Sequence, residues 1–304
     1  MKSRAKLKFK KNLPLYLMMV PGVIYLLINN FAPMAGIVVA FKNYNYQAGI
    51  WGSEWCGLEN FRFLFASPDA FLITRNTILY NVAFIILNLV ISVVLAIFLS
   101  QVAGKGLNRI YQCAILLPYL LSYVIISYLV YAFIGNDGFI NGILTNLGLK
   151  TVSFYTETKY WPFILIFVNT WKSIGYYSII YMATIIGFDK TYYEAARMDG
   201  ATKLQEIRYL TLPMLKSTII TMVLLAVGRI FYSDFGLFYQ VTRNTGAIFN
   251  VTSVIDTYVY NGLLKLGDVG MSAAAGAYQS LVGFVIVMIA NLITRKVSAE
   301  DALF

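Results

Sequence analysis

The 304-residue sequence contains no histidine, which removes the commonest general base and the commonest metal ligand. Its two cysteines, Cys56 and Cys113, form no metal-binding motif. They fall on different sides or depths of the topology set out below, so no disulfide is expected. There is no Gly-x-x-x-x-Gly-Lys-Ser/Thr phosphate loop, and the chain is not expected to hydrolyse ATP itself. No nucleophile–base pair points to an enzyme. Charge is scarce too: 12% of residues are charged, where a soluble domain carries about a quarter. Internal repeats, linkers and low-complexity stretches are also lacking, so residues 1–304 read as one membrane domain.

What is abundant is apolar. The chain is 59% hydrophobic, with a mean hydropathy of +0.68. A membrane-crossing helix needs about 20 mostly apolar residues. Six runs qualify, at roughly 13–41, 77–100, 111–134, 161–187, 214–232 and 272–294. The expected fold class is all-α and integral to the membrane, with six transmembrane helices. Pro14, Pro162 and Pro213 stand near the starts of spans, where a missing N–H costs little. Pro118 lies inside the third span and predicts a kink. By these boundaries no Asp or Glu lies within a span, and the cations inside are Lys172, Arg229 and, in the first turn of the fifth, Lys216. Proton-coupled carriers usually keep an ionisable relay there. Its lack counts against the main rival reading, an ion- or proton-coupled secondary transporter of a small solute.

A net charge of +10 could point to nucleic acid, but a membrane accounts for it better. With the N-terminus inside, fifteen of the 24 Lys and Arg residues fall on the cytoplasmic side. Seven fall on the outer loops at 42–76, 135–160 and 233–271, although those loops are longer. That bias predicts both termini in the cytoplasm, with lipid as the surroundings and no nucleic-acid partner. The basic N-terminus followed by an apolar run mimics a signal peptide, but it reads better as an uncleaved first span. Segment 251–264 reads as an amphipathic helix in the last outer loop.

One stretch interrupts the apolar pattern. Residues 191–213, TYYEAARMDGATKLQEIRYLTLP, hold six charged residues between the fourth and fifth spans. Thr191 and Glu194 have the spacing of a capping box, as do Thr202 and Gln205. Gly200 suits the left-handed residue that ends a helix. The pattern predicts one short helix to about Asp199, a glycine turn, a second helix to about Thr211, and a span opened by Pro213. Isolated helices this short are marginal in water, so they need a partner surface. Ala195 and Ala196 permit close approach, and Tyr193, Leu204, Ile207 and Leu210 offer apolar area.

Glu194-Ala195-Ala196, Asp199-Gly200-Ala201 and Leu212-Pro213 resemble the EAA loop of binding-protein-dependent ABC importer permeases, at that family's spacing. Asn43-Tyr44-Asn45, Gly57-Leu58-Glu59-Asn60-Phe61 and Arg75-Asn76-Thr77 look like its maltose-type, carbohydrate-importing members. With Phe31-Ala32-Pro33-Met34 they look most like the complex-oligosaccharide branch. The resemblance implies a type I importer permease (MetI-like) fold in a bacterial cell membrane. It makes segment 189–213 a coupling loop that docks on a cytoplasmic ATPase, through Tyr193, Glu194, Ala195, Ala196, Asp199, Gly200, Ala201, Ile207 and Pro213. The implied partners are a second related permease, two ATPase subunits that bind the ATP and Mg, and an extracellular sugar-binding protein. The chain itself would carry no cofactor and no metal.

Polar residues deep in spans mark candidate substrate contacts. In the fourth span Asn169, Lys172, Ser173 and Tyr176 recur at helical spacing, with Tyr177 beside them. They read either as interhelical hydrogen bonding or as a wall that binds sugar hydroxyls, with Tyr rings against sugar faces. By resemblance, Asn169, Ser173 and Tyr176 fall at the sugar-contacting positions of the maltose-type permease. Arg229 and Ser233 reach a comparable depth at the end of the fifth span, where Arg229 alternatively snorkels or pairs with Asp234. Tyr119, Ser122, Tyr123, Ser127 and Tyr128 of the third span read as packing or an interfacial belt. The small-residue run 273–277 of the sixth suits close helix packing. The expected function is the permease subunit of an ATP-driven importer that moves an oligosaccharide inward by alternating access.

Overall fold

The computed structural model describes residues 2–62, 68–102 and 104–297. Part of the loop expected at 42–76, residues 63–67, lies outside the described residues, as do the ends of the expected 1–304 domain. Among the described residues the regular secondary structure is helical apart from one short antiparallel pairing, β1 (Lys42–Asn43) with β2 (Glu54–Trp55). The main helices are α1 (Lys2–Leu26), α2 (Pro68–Gln101), α3 (Lys105–Leu120), α4 (Tyr123–Ile134), α5 (Phe139–Asn146), α6 (Trp161–Ile186), α7 (Lys190–Met198), α8 (Lys203–Glu206), α9 (Leu212–Val227), α10 (Ile255–Asn261) and α11 (Val269–Val297). Six helical stretches among the described residues are long and apolar enough to cross a membrane: Asn12–Phe41, Asp69–Gln101, Tyr123–Asn146, Thr158–Ile186, Lys203–Val227 and Val269–Lys296.

Residues 1–66 with 259–278 form one compact unit, and residues 67–258 with 279–304 form the other. In the first, α1 continues through a π turn at Leu27–Phe31 and a 3-10 turn at Ala35–Phe41 into β1. The Lys42 side chain is buried there. Its ammonium donates to the carbonyls of Ile50 and Trp51 at 2.9 and 3.1 Å, which satisfies a charge that would be costly to bury alone. Asn60 ties the same strand down by donating to the carbonyls of Ala40 and Lys42.

The second unit is organised around α2 and α6. One apolar cluster joins Tyr80, Phe84, Ile126, Trp161, Leu165, Val168, Leu237 and Phe238. Another joins Val93, Ala96, Tyr181, Met182 and Leu215. Between them along both helices runs a polar belt. Asn88 of α2 donates to Asn169 of α6 at 3.3 Å, and the Ser92 hydroxyl donates to the Ile174 carbonyl at 3.2 Å. Burying such groups is costly unless they are paired, so the belt both fixes helix register and marks where the interior turns polar.

Three expectations need correction. The third span is not one kinked helix over 111–134. It breaks between α3 and α4: Leu121 is extended, and the Ser122 side chain caps α4 by accepting from the Ile125 N–H. Pro118, which lacks an N–H, lies in the last turn of α3. The first capping box fails as well. Asp189, rather than Thr191, caps α7, its carboxylate accepting from the Thr191 N–H at 3.0 Å. Nor does a second helix stop at Thr211. The chain runs helically from α8 through a π turn at Ile207–Thr211 into α9. Pro213 would press on the Tyr209 carbonyl in a regular helix, and the wider π turn relieves that conflict.

Candidate functional site

Two places bring chemically distinctive residues together, both within the second unit. The first is a cavity of about 700 Å³ lined by α2, α6, α9 and the α3–α4 break. Its polar wall is Asn81, Asn88, Asn169 and Ser173, and its aromatic wall includes Tyr119, Tyr123, Tyr176, Tyr177 and Tyr232. Tyr119 and Tyr176 stack with ring centroids 4.7 Å apart and planes 13° from parallel. Tyr177 meets Tyr176 edge-on. Arg229, Ser233 and Asp234 close the remaining side.

That side is not a regular helix. After α9 the backbone leaves the helical path at Gly228: residues 228–231 form turns and 232–234 are irregular before helix resumes at Phe235. The expected fifth span to 232 therefore ends early. Side chains hold the unwound stretch. Asn81 donates to the carbonyls of Ile230 and Tyr232, at 2.9 and 3.2 Å. The buried Gln279 amide donates to the Phe231 carbonyl at 2.5 Å, and Asp256 accepts from the Ser233 N–H at 2.7 Å. Discontinuous helices of this kind line substrate sites in membrane transporters, because only there is irregular backbone tolerated at depth.

Of the residues expected to meet substrate, Asn169, Ser173, Tyr176, Tyr177, Arg229 and Ser233 all line the cavity. Lys172 does not. It points to the α3–α4 break and donates to the carbonyls of Pro118, Tyr119 and Leu121. Tyr119 and Tyr123, read as packing or belt residues, are part of the wall. So is Asp234, which the span boundary at 232 kept out of the polar inventory. Among the described residues no ion pair joins it to Arg229. Asn88 had a signal in the sequence, since Asn81 lies seven residues earlier on the same face of α2, and the polar reading of the spans passed over both.

The second place is segment 189–213. Gly200 adopts φ +81°, and the N–H groups of Ala201 and Gly200 donate to the carbonyls of Ala196 and Arg197. This is the Schellman arrangement that terminates a helix. Thr202 and Gln205 form the expected reciprocal capping box. Across the turn, Arg197 and Lys203 both reach the buried Glu206 carboxylate, at 2.8 and 3.1 Å. Arg197, then Lys203, holds the Glu206 carboxyl below the usual carboxylate range against the opposing effect of burial. The Tyr193 and Thr211 hydroxyls share a hydrogen bond at 3.1 Å. These contacts fold α7 against the start of the long helix as one rigid piece.

The outward face of that piece differs from expectation. Tyr193 is half-buried and turned inward, and Ile207 packs on the inner apolar cluster. Glu194, Ala195, Asp199, Gly200 and Pro213 are exposed, while Ala196 and Ala201 are half-buried. The apolar surface left open is Met198, 89% exposed, and Leu204, 75% exposed, with Tyr192 and Tyr209. A groove of about 320 Å³ runs among Ala196, Asp199, Gly200, Ala201, Tyr209 and Leu210.

Residues 88–299 match the family described as binding-protein-dependent transport system inner membrane component. The polygalacturonan/rhamnogalacturonan transport system permease protein YteP of Bacillus subtilis (strain 168) is 34% identical over 98% of this chain and 93% of its own length. Protein LplB of the same organism is 32% identical over 96% of this chain and 91% of its own. In the crystal structure of a bacterial ABC transporter involved in the import of the acidic polysaccharide alginate, one chain superposes with a TM-score of 0.88 at 30% identity. The match covers 97% of this chain and 99% of that one. With six stretches able to cross a bilayer and a family match over most of its length, this chain is a multi-pass membrane protein and belongs to the binding-protein-dependent transport system inner membrane components.

Proposed function

We propose that the chain is the permease subunit of an ATP-driven ABC importer that carries an oligosaccharide into the cytoplasm. The observation that carries this reading is the cavity. Stacked Tyr119 and Tyr176 offer flat apolar faces for sugar rings, and Asn81, Asn88, Asn169 and Ser173 offer amide and hydroxyl partners for sugar hydroxyls. Aromatic surface with a few placed polar groups is how small-molecule sites combine affinity with orientation. Arg229, exposed on the cavity wall, is the group that would receive a sugar carboxylate. Relatives named for polygalacturonan/rhamnogalacturonan and for alginate support an acidic oligosaccharide as the cargo.

In this reading segment 189–213 is the coupling element and both termini are cytoplasmic. A second, related permease completes the pathway. Two ATPase subunits bind ATP and Mg and dock on the coupling segments, and an external sugar-binding protein delivers cargo. A solved complex of the alginate importer with an alginate pentasaccharide-bound periplasmic protein supports that last partner. ATPase closure moves the coupling segments, the cavity opens outward and receives sugar, and hydrolysis resets it inward. Family membership favours this over the proton-coupled rival, even though Asp234 places a carboxylate at the cavity.

The test is uptake of oligogalacturonides, alginate oligomers and neutral arabino-oligosaccharides by cells expressing the chain with its partners. Uptake is expected to stop when ATP is depleted with the proton gradient kept, and to favour an acidic sugar. Continued uptake under ATP depletion would overturn the reading.

A further inference from the structure

The α3–α4 break leaves backbone carbonyls without helical partners at the edge of the cavity. The last carbonyls of a helix normally find water or a capping group; the Leu121 N–H caps the Pro118 carbonyl at 3.2 Å, which leaves those of Tyr119 and Leu121. Lys172 takes that place. Its ammonium donates to the carbonyls of Tyr119 at 2.8 Å, Leu121 at 2.5 Å and Pro118 at 3.4 Å, fifty-odd residues back in the chain. A cation at a helix C-terminus is also favoured by the helix dipole. The same ammonium lies over two rings of the cavity wall, 4.9 Å from the centre of Tyr123 and 5.6 Å from that of Tyr119.

These rings have little room elsewhere. A Cβ on Gly236 would come within 2.5 Å of the Tyr123 ring, so that ring is boxed between Gly236 and Lys172. Tyr119 is stacked on Tyr176, one turn beyond Lys172 on α6. A Cβ on Gly175 would fall 2.1 Å from the Ile115 carbonyl oxygen, so α3 and α6 cross almost backbone to backbone beside the break. The cation thus sits where the broken helix, the crossing helix and the aromatic wall meet.

We infer that Lys172 is the positioning residue of the transport cavity: it clasps the broken third span and thereby sets Tyr119 and Tyr123 against the cargo. It does not itself touch substrate. The inference rests on the importer reading for its functional half and on geometry alone for its structural half, and the two are tested separately.

The structural arm is hydrogen exchange of the full chain in lipid nanodiscs, needing neither cargo nor ATPase. Lys172→Met is expected to speed exchange of the amides at 119–122 about tenfold, the size of one lost helix-terminal charge interaction in a favourable setting. Lys172→Arg, which still donates to the carbonyls, is expected to keep protection. Unchanged exchange in Lys172→Met would overturn the clasp. The functional arm is the ratio of sugar imported to ATP hydrolysed in the reconstituted transporter, with oligogalacturonides as the probe. Lys172→Met is expected to lower that ratio while binding-protein-stimulated hydrolysis persists, and Lys172→Arg to restore it. Import and hydrolysis falling together with the amount of assembled protein would overturn the positioning role. Should Lys172→Met not accumulate, Lys172→Gln, with one donor group, replaces it in both arms with an intermediate effect expected. If the wild type neither imports nor hydrolyses, the importer reading fails while the exchange arm still decides the clasp.

Discussion

Arg197 and Glu206 face each other across the Gly200 turn, Nε and Nη2 of the guanidinium donating to the two carboxylate oxygens at 2.8 and 3.3 Å. The carboxylate is buried and the guanidinium about half exposed. Losing the cation therefore leaves a buried charge with Lys203 as its remaining ionic partner. Arg197→Ala is expected to reduce the ATPase recovered with the purified chain about tenfold, since a misaligned docking piece forfeits binding free energy as a whole. Arg197→Lys, a single-point donor, should fall between. Because Arg197 holds the Glu206 carboxyl low, the staple is intact above the ordinary glutamate value of about pH 4 and is lost as pH falls further through the depressed one. Recovery of the ATPase across an acid series reads this directly.

Gly200 supplies the left-handed conformation that lets the turn close. An alanine there is strained by about 1–2 kcal/mol. Proline, with φ fixed near about −65°, cannot adopt it. Gly200→Ala should weaken ATPase recovery and Gly200→Pro should abolish it, with the helical circular dichroism of the spans unchanged. Retained recovery and uptake in Gly200→Pro would refute segment 189–213 as the docking element.

The α3–α6 crossing depends on Gly175. A methyl group there has no space against the Ile115 backbone. Gly175→Ala should lower folded-state stability by about 3 kcal/mol, seen as an earlier thermal unfolding midpoint in detergent. Gly142, helical with nothing within 4 Å of the added carbon, is the control. Gly142→Ala should be neutral or slightly stabilising.

Two further changes probe the cavity. Tyr176→Ala removes the ring stacked on Tyr119, a pair worth about 0.5–1.5 kcal/mol beyond its area. Asn169→Ala removes the acceptor of the Asn88 amide. Both should cut uptake several-fold while leaving ATPase recovery intact. Normal transport by both would make the belt a packing device.

These residues differ in how far the sequence alone discloses them. Thr202, Gln205 and Gly200 act within a few residues of themselves, and their spacing predicts their roles. Asn169, Ser173 and Tyr176 share one helix face, so the helical period discloses them together. Lys172 also sits in that pattern, but the hydrogen bonds it makes run to residues 118–121, and the spacing within α6 does not disclose partners on another helix. Ser122 capping α4 was the available signal for the break in the third span. Arg197 and Glu206 are nine apart, beyond any helical spacing, and meet because the chain doubles back at Gly200. Asp189 displaced Thr191 as the cap because the helix begins at Lys190, so that the Thr191 N–H is itself one of the free first-turn donors and the Asp189 carboxylate accepts it. Asp234 was read only as an alternative partner of Arg229, because a span boundary drawn from hydropathy stopped short of it where the backbone had already left the helix.

Asp256 offers the last test, since it anchors the unwound stretch that carries Arg229 and Asp234. Its carboxylate accepts from the Ser233 N–H and, at 3.2 Å, from the Gln279 amide. Burial pushes the Asp256 carboxyl up, and those hydrogen bonds only partly oppose it. A raised acid contributes most to stability below its ordinary value of about pH 4, and that contribution is lost as pH rises through the folded value. The wild type should therefore lose thermal stability in detergent as pH rises from acid toward neutral by more than Asp256→Asn does. The asparagine keeps an acceptor for Ser233 and carries no charge to bury. Asp256→Ala has no acceptor at all, strands the Ser233 N–H, and should be less stable by about 1–3 kcal/mol across the range. If the wild type and Asp256→Asn lose stability in parallel as pH rises, the carboxyl does not titrate in that range and hydrogen bonding alone fixes the stretch.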